Sequence, residues 1–246
     1  MSVERQILTG PTIRPLGHRE RIDWHDHVVH QLVHPVRGVL RVSTRRGSWV
    51  VPPNRAVWIP ATVPHAHRAD GPTEMRSLIF EEPVFAEPTV LVVAPLLREV
   101  IRTLSDEHDA RPPLTAAHRH HLEQVALHQV RSAEQLPLLL PAPTDPRLVR
   151  LCELLADDPA DQRSLGELGR EVGAAERTLS RLFRAETGLT FPQWRAQLRL
   201  HHAVRLLAAG HPVTRVAADC GFRSPSAFIE AFRSLFGTTP GRYRTD

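Results

Sequence analysis

Hydrophobic and polar positions follow two different rhythms along the 246 residues. Between positions 22 and 80 the apolar residues come in short runs. Val28, Leu32, Val36, Val39, Leu40, Val42, Val50, Val51, Val57 and Ile59 are interrupted by Gly38, Gly47, Pro52-Pro53-Asn54 and Pro60. Branched residues favour extended backbone, and turn residues this closely spaced fold the chain back repeatedly, so the pattern predicts a small antiparallel barrel or sandwich. Glu81 to Pro88 reads as a proline-spaced connection. The period then becomes helical. Leu96, Leu97, Val100, Ile101 and Leu104 predict a helix over Pro95–Glu107, and Leu122, Val125, Ala126 and Val130 predict another over Leu114–Leu136, with Thr115 as its N-cap. The stripe of Leu97, Ile101 and Leu104 has two readings: a dimer contact, or packing on the barrel.

Four prolines between positions 137 and 146 cannot continue a helix, so this stretch reads as an interdomain linker. From Arg147 onward helix signals dominate: 148–156, 165–172, 176–186, 191–209, 213–219 and 226–235. Gly173, Gly188, Gly210, Gly221 and Gly237 fall at their ends, where left-handed backbone is needed. Ser164-Leu165-Gly166-Glu167 fits a capping box. The expected fold is therefore α+β in two domains: a barrel over 1–94 with a helical dimerisation segment over 95–136, a linker over 137–146, and an all-α domain over 147–246.

Charge sharpens this division. Residues 147–246 carry 15 Arg and 11 acidic side chains, and residues 1–146 carry 16 of each, so the whole net charge of +4 lies in the helical part. Every fixed cation is an Arg; there is no Lys. A polyanion partner would be met by the C-terminal half. Histidine is skewed the other way: twelve of 15 precede residue 147 and seven lie from His18 to His67. Two cysteines make no disulfide framework, no apolar run spans a membrane, and the N-terminus lacks a secretory signal. These features imply a cytoplasmic protein without a membrane partner.

The helical half repeats itself. Leu165-x-x-Leu168-x-x-x-Val172-Gly173 followed by Ala175–Phe183 is matched by Val213-x-x-Val216-Ala217-x-x-Cys220-Gly221-Phe222 followed by Ser226–Phe232. Each copy is a short helix, a glycine turn and a second helix with an aromatic anchor, the layout of a DNA-binding helix-turn-helix. The segment between them, about 19 residues, makes a rod of roughly 28 Å as a helix. That is the order of one DNA turn, about 34 Å.

The same half carries the motifs Leu182-Phe183-x-x-Glu186-Thr187-Gly188, Arg199-Leu200-x-x-Ala203, Val216-Ala217-x-x-x-Gly221-Phe222, Ser224-x-Ser226-x-Phe228, Phe232-Arg233-x-x-Phe236-Gly237 and Thr239-Pro240-x-x-x-Arg244. With them the chain resembles, over roughly residues 147–244, the AraC/XylS-type transcriptional regulators. The resemblance implies groove-facing positions at Arg177, Ser180 and Arg181 in the first unit and at Ser224, Pro225, Ser226, Ile229 and Glu230 in the second. Arg177 or Arg181 would read guanine, Glu230 would accept from cytosine, Ile229 would touch a thymine methyl, and Arg233 would hold a phosphate. Leu179, Leu182, Phe183, Phe222, Phe228, Phe232 and Phe236 are expected in the core.

Trp24-His25-Asp26-His27 and Pro64-His65-Ala66-His67 each carry two histidines two residues apart. Alternate residues of a strand share a face, so His25 and His27 would point together with Gln31, and His65 with His67. If the two strands pair, three or four side chains converge, a set suited to Zn, Ni or Fe. Residues 18–82 also resemble a cupin barrel. His25-x-His27-x3-Gln31 matches its first motif with Gln where Glu is usual. Pro60-x-Thr62-x2-His65 matches the second with Thr where Gly is usual. Val57-Trp58-Ile59-Pro60-Ala61 with Pro64-His65 is typical of sensor domains in one subgroup of AraC-type regulators. That resemblance implies a divalent metal on His25, His27 and His65, with Gln31, His67 or His30 as a fourth ligand. The alternatives are a small organic effector in the same cavity, or an inert polar lining. His118, His120, His121, His201 and His202 are expected on solvated helix faces.

Together these features describe a sequence-specific, homodimeric regulator. It would bind double-stranded promoter DNA, sense a small molecule or metal through its barrel, and contact RNA polymerase if it activates. The competing expectation is a cupin-type metalloenzyme with an accessory helical domain. That would require an acid beside the histidines, for which Asp26 is the main candidate. No nucleophile–base pair, phosphate loop or flavin or nicotinamide motif is present.

Overall fold

A computed structural model describes residues 3–106, 113–136 and 138–245, apart from the side chains of residues 244 and 245. The expectations for Glu107, Pro137 and the Arg244 side chain lie outside the described residues. The chain divides into two compact units, one of residues 1–44 and 50–138, the other of residues 45–49 and 139–246.

The first unit is built on two sheets rather than one closed barrel. One runs in the order β1 (Glu4–Arg5), β3 (Arg21–Asp26), β8 (His65–Ala69) and β5 (Leu40–Thr44); β6 (Gly47–Val51) follows β5 along the chain. The other runs β11 (Gln135–Leu136), β10 (Thr89–Val92), β7 (Arg55–Ile59), β4 (His30–Arg37), β9 (Thr73–Phe80) and β2 (Thr12–Leu16), antiparallel throughout. Every residue of β7 is buried, so both faces of this sheet are covered. Helices α1 (Pro95–Ser105) and α2 (Ala116–Ser132) cover one of them. Leu97, Ile101 and Leu104 of α1 pack on Leu32, Trp58, Leu78, Phe80 and Leu91, and none of the three is more than 1% exposed. This corrects the dimer reading of that stripe. Each buried leucine or isoleucine stabilises the unit by about 1.5–3 kcal/mol, and exposing the stripe to a partner would forfeit that. Thr115 caps α2 through the His118 N–H, as its hydroxyl predicts.

Within the second unit, β12 (Leu140–Pro141) pairs with Gly47 and Ser48. The stretch read as a linker therefore contains a short strand, and its last proline opens α3 (Pro146–Asp157). Helices α4 (Leu165–Glu171), α5 (Glu176–Leu182), α6 (Phe191–Ala208), α7 (Val213–Asp219), α8 (Pro225–Phe236) and α9 (Pro240–Thr245) come next along the chain. Residues 183–187 prolong α5 as one wider turn that ends at Gly188. The capping box of Ser164 with Glu167 is formed. Phe183 meets Phe191 and Trp194 in one core; Phe232 meets Phe228, Phe236 and Tyr243 in another. Phe222 is only half-buried. His201 is 4% exposed, contrary to the solvated position expected for it. It continues the Phe191, Trp194, Leu198 stripe of α6 at helical spacing, so the side that buries them buries it.

Candidate functional site

The two helix-turn-helix units present their second helices in the same way. In α5, Leu179 is buried and Phe183 lies on the same side, which leaves Arg177, Ser180 and Arg181 exposed together. In α8, Phe228, Phe232 and Phe236 turn inward, and Ser224, Pro225, Ser226, Ile229, Glu230 and Arg233 are exposed. Residues three and four apart share a helix face, so each set forms a continuous strip. Pro225 occupies the first turn of α8, where no intrahelical N–H is needed. The Ser224 hydroxyl accepts from the Ala227 N–H at 3.2 Å, which leaves its own O–H free to donate outward. Arg184 was missed in the sequence. It lines the same depression as Arg177, Ser180 and Arg181. Its place three residues beyond Arg181 was the available signal. Arg223, exposed just ahead of α8, was missed as well.

In the first unit, strands β3 and β8 pair antiparallel, with Ile22 opposite His67 and His25 opposite His65, and the register slips between these two pairs. Ring centroids of His25 and His65 lie 4.2 Å apart, those of His65 and His67 5.0 Å, and those of His25 and His67 5.5 Å. One nitrogen from each of these three histidines lies within 4.8 Å of the other two. His27 adjoins the group, 5.0 Å from His65 between centroids. Its Nε2 faces Oε1 of Gln31 at 3.2 Å rather than joining the three. Gln31 belongs to β4, in the other sheet, so it does not share a strand face with His25 and His27.

Hydrogen bonding fixes the tautomers. His25 and His65 place Nδ1 at 2.7 and 2.8 Å from the carbonyls of Asp23 and Val63. A carbonyl can only accept, so each Nδ1 carries the proton and each Nε2 keeps a lone pair. Nε2 of His65 and Nδ1 of His67 are buried without a hydrogen-bond partner. His27 likewise donates from Nδ1 to the Val29 carbonyl at 2.6 Å, so the Gln31 amide satisfies it best by turning its NH₂ toward Nε2. Burial lowers the pKa of His25 and lowers that of His65 to about 3, with neighbouring histidines adding to the shift. Burial likewise holds His67 well below its ordinary value. Three neutral imidazoles that each bring one nitrogen within 4.8 Å of the other two form a donor set for a cation. Asp26 is engaged elsewhere: its two oxygens take a paired contact from Arg5 at 2.8 and 3.0 Å.

A family profile described as a helix-turn-helix domain matches residues 168–246. The chain is 35% identical to the HTH-type transcriptional regulator NimR of Escherichia coli K12 over 222 residues, which is 89% of this chain and 81% of that protein. The chain belongs to the AraC-type family of helix-turn-helix transcriptional regulators. RipA of Corynebacterium glutamicum is 41% identical over 106 residues, covering 43% of this chain and 31% of its own length. The solved DNA-binding domain of AdpA in complex with a target DNA is 34% identical, covering 42% of this chain and 92% of that one, with a TM-score of 0.39. An AraC-type regulator is not an enzyme, and the relatives are named as regulators. No described helix is long and apolar enough to cross a membrane.

Proposed function

We propose that this AraC-type regulator reads a two-part promoter site with the exposed strips of α5 and α8, and that its N-terminal unit senses a divalent transition metal. In this reading Arg177 and Arg181 contact bases in one major-groove segment. Ser226, Ile229 and Glu230 contact bases in the next, and Ser224, Arg184 and Arg233 hold phosphates. The working form is a cytoplasmic homodimer on double-stranded DNA, and RNA polymerase is its partner where it activates. The sensor unit is cupin-like in this reading. His25, His65 and His67 hold the ion, and the bound cation supplies the charge that the buried, neutral imidazoles lack. Zn, Ni and Fe suit three nitrogen donors.

The observation that supports the sensing half is the pair of buried, unpartnered imidazole nitrogens, Nε2 of His65 and Nδ1 of His67. A buried polar atom without a partner costs about 1–3 kcal/mol, and a cation shared with His25 removes that cost once each nitrogen presents its lone pair. An effector biases the DNA-bound state only by its differential affinity for it. The test titrates Zn(II), Ni(II) and Fe(II) into the metal-stripped full chain. It measures ion stoichiometry and affinity for a duplex selected from a random pool. One ion per chain and a shift in duplex affinity, both lost in His65→Ala and His67→Ala, are expected. Duplex affinity that no ion changes would refute metal sensing and leave an organic effector or an inert polar lining as the remaining readings.

A further inference from the structure

We propose that the loop 158–164 is a clamp that fixes the second helix-turn-helix unit in register with the first, and that Gln162 and Arg199 are the positioning residues that close it. The proposal rests on the reading that α5 and α8 both enter the duplex.

The connecting helix α6 sets the distance between the two units. A single rod leaves the rotation of the second unit about its axis to other contacts, and here the chain turns at Gly210 before α7 begins. The loop supplies a second, off-axis attachment. One of its ends is α4 itself, because Ser164 is the N-cap of that helix. Along its length it is fastened to α6. Arg199 donates from Nε to the Pro159 carbonyl at 3.0 Å and from Nη2 to the Asp161 carbonyl at 2.7 Å. Arg195, one turn earlier on the same face, donates to the Arg163 carbonyl at 2.8 Å. Its middle reaches the turn of the second unit: Gln162 Nε2 donates both to the Ala160 carbonyl at 3.0 Å and to the Gly221 carbonyl at 2.9 Å.

The internal repeat provides the contrast that singles this contact out. Gly173 and Gly221 occupy equivalent turn positions and share the same left-handed backbone, φ +68° and +71°. A Cβ on Gly173 would meet nothing within 4 Å. On Gly221 it would lie 2.9 Å from Ala160 Cα and 2.8 Å from Gln162 Nε2. The glycine of the second turn is therefore held directly under the loop, whereas that of the first is free of it. A turn that needed glycine for its backbone alone would show the same surroundings in both copies.

Two recognition helices held rigidly bind a two-part site as one event, at an effective concentration set by how well their spacing matches it. Loosening the clamp lowers that concentration and leaves each helix's own contacts intact. The experiment uses the full chain and a duplex selected with it, together with versions in which either half-site is scrambled or one base pair is inserted between them. Gln162→Ala, at an exposed position, removes a neutral hydrogen bond of about 1 kcal/mol. It is expected to weaken binding to the intact duplex about fivefold. Affinity for each scrambled duplex should stay unchanged, and the penalty for the inserted base pair should shrink. Gly221→Ala should shrink the insertion penalty more strongly and, through the strain of its own turn, should also weaken the second half-site. Gly173→Ala shares the backbone strain but not the loop contact, and should weaken only the first half-site. Parallel loss on intact and scrambled duplexes in Gln162→Ala, or an unchanged insertion penalty, would overturn the clamp. If the wild-type chain itself did not distinguish intact from scrambled duplexes, the two-helix reading would fail first and the clamp with it.

Discussion

Gly169 sits inside α4, where propensity and packing pull in opposite directions. Replacing a helical glycine by alanine restricts the unfolded chain and should stabilise by about 1 kcal/mol. A Cβ on Gly169, however, would lie 2.4 Å from the Ala174 carbonyl oxygen and 3.2 Å from Leu179 Cδ1. The first of these is backbone and cannot swing away. The turn must move outward by roughly 1 Å to reach van der Waals contact. That motion strains the 2.9 Å bond from the Ala174 N–H to the Gly169 carbonyl. Overpacking of this kind costs about 1–3 kcal/mol, and weakening the hydrogen bond up to about 1 kcal/mol more. Gly169→Ala should therefore destabilise the helical unit by about 1–2 kcal/mol net. It should also weaken duplex binding, because the displaced turn carries α5 with it. Equivalent Ala217 in the second unit already holds a Cβ, with the corresponding bond from Phe222 to Ala217 at 2.9 Å, so Ala217→Gly should cost only about 1 kcal/mol of propensity. Urea unfolding of the full chain and a duplex titration measure both effects. A Gly169→Ala protein that gained about 1 kcal/mol with unchanged duplex affinity would refute the reasoning.

Two other positions each test a single contact. Arg181→Ala should cost about 1–3 kcal/mol at one base pair of the selected duplex; affinity measured across single-base variants checks this, and a uniform loss would make Arg181 a phosphate contact. Thr62 stands at φ +63° where the resemblance expects glycine, and its N–H donates to the His27 carbonyl at 2.8 Å. Relief of a branched side chain from left-handed backbone outweighs the extra freedom glycine has when unfolded, so Thr62→Gly should stabilise the N-terminal unit by about 1 kcal/mol. Thermal unfolding decides, and a lower melting temperature would count against strain at this turn.

The helical half was legible because its signals are local. Ser164 with Glu167, Pro225 and Gly188 each act within one turn of the helix they start or stop, and each stands where its chemistry requires. The histidine centre was legible only in part. Strand alternation correctly joined His65 with His67, but it also joined His25 with His27. The strand ends at Asp26, so His27 lies beyond it and turns its Nε2 to Gln31 of β4 instead of joining the three. Where a strand ends depends on its neighbours, so no local pattern announces it. Strands β1, β11 and β12 have two residues each, too few to carry a period. The Leu97, Ile101, Leu104 stripe was ambiguous for another reason: a helix face that packs on a sheet and one that packs on a second copy have the same spacing.

The two recognition strips differ in charge, and that difference should be measurable without knowing the regulated genes. On α5, Arg177, Arg181 and Arg184 are exposed along one face. On and just before α8, Arg223, Glu230 and Arg233 are exposed, so one acid offsets part of the charge of two cations. Each phosphate neutralised by a bound cation releases condensed counterions, and the logarithm of affinity then falls with the logarithm of salt by about 0.9 for every phosphate. Arg177 and Arg181 carry positive charge into the groove even while they contact bases, and that charge also displaces counterions, so a half-site held by α5 should show a steeper salt dependence than one held by α8, by up to about 1–2 in that slope. The acid also sets a sign. Glu230→Gln should strengthen the α8 half-site on mismatched sequences while weakening discrimination at the base pair it reads, because the repulsion it removes is general and the contact it loses is specific. Duplexes with one half-site scrambled, titrated between low and moderate salt, separate the two slopes. Equal slopes would mean that Arg177 and Arg181 do not approach the duplex as a set. The helical half would then have to bind DNA through α8 and its flanks alone.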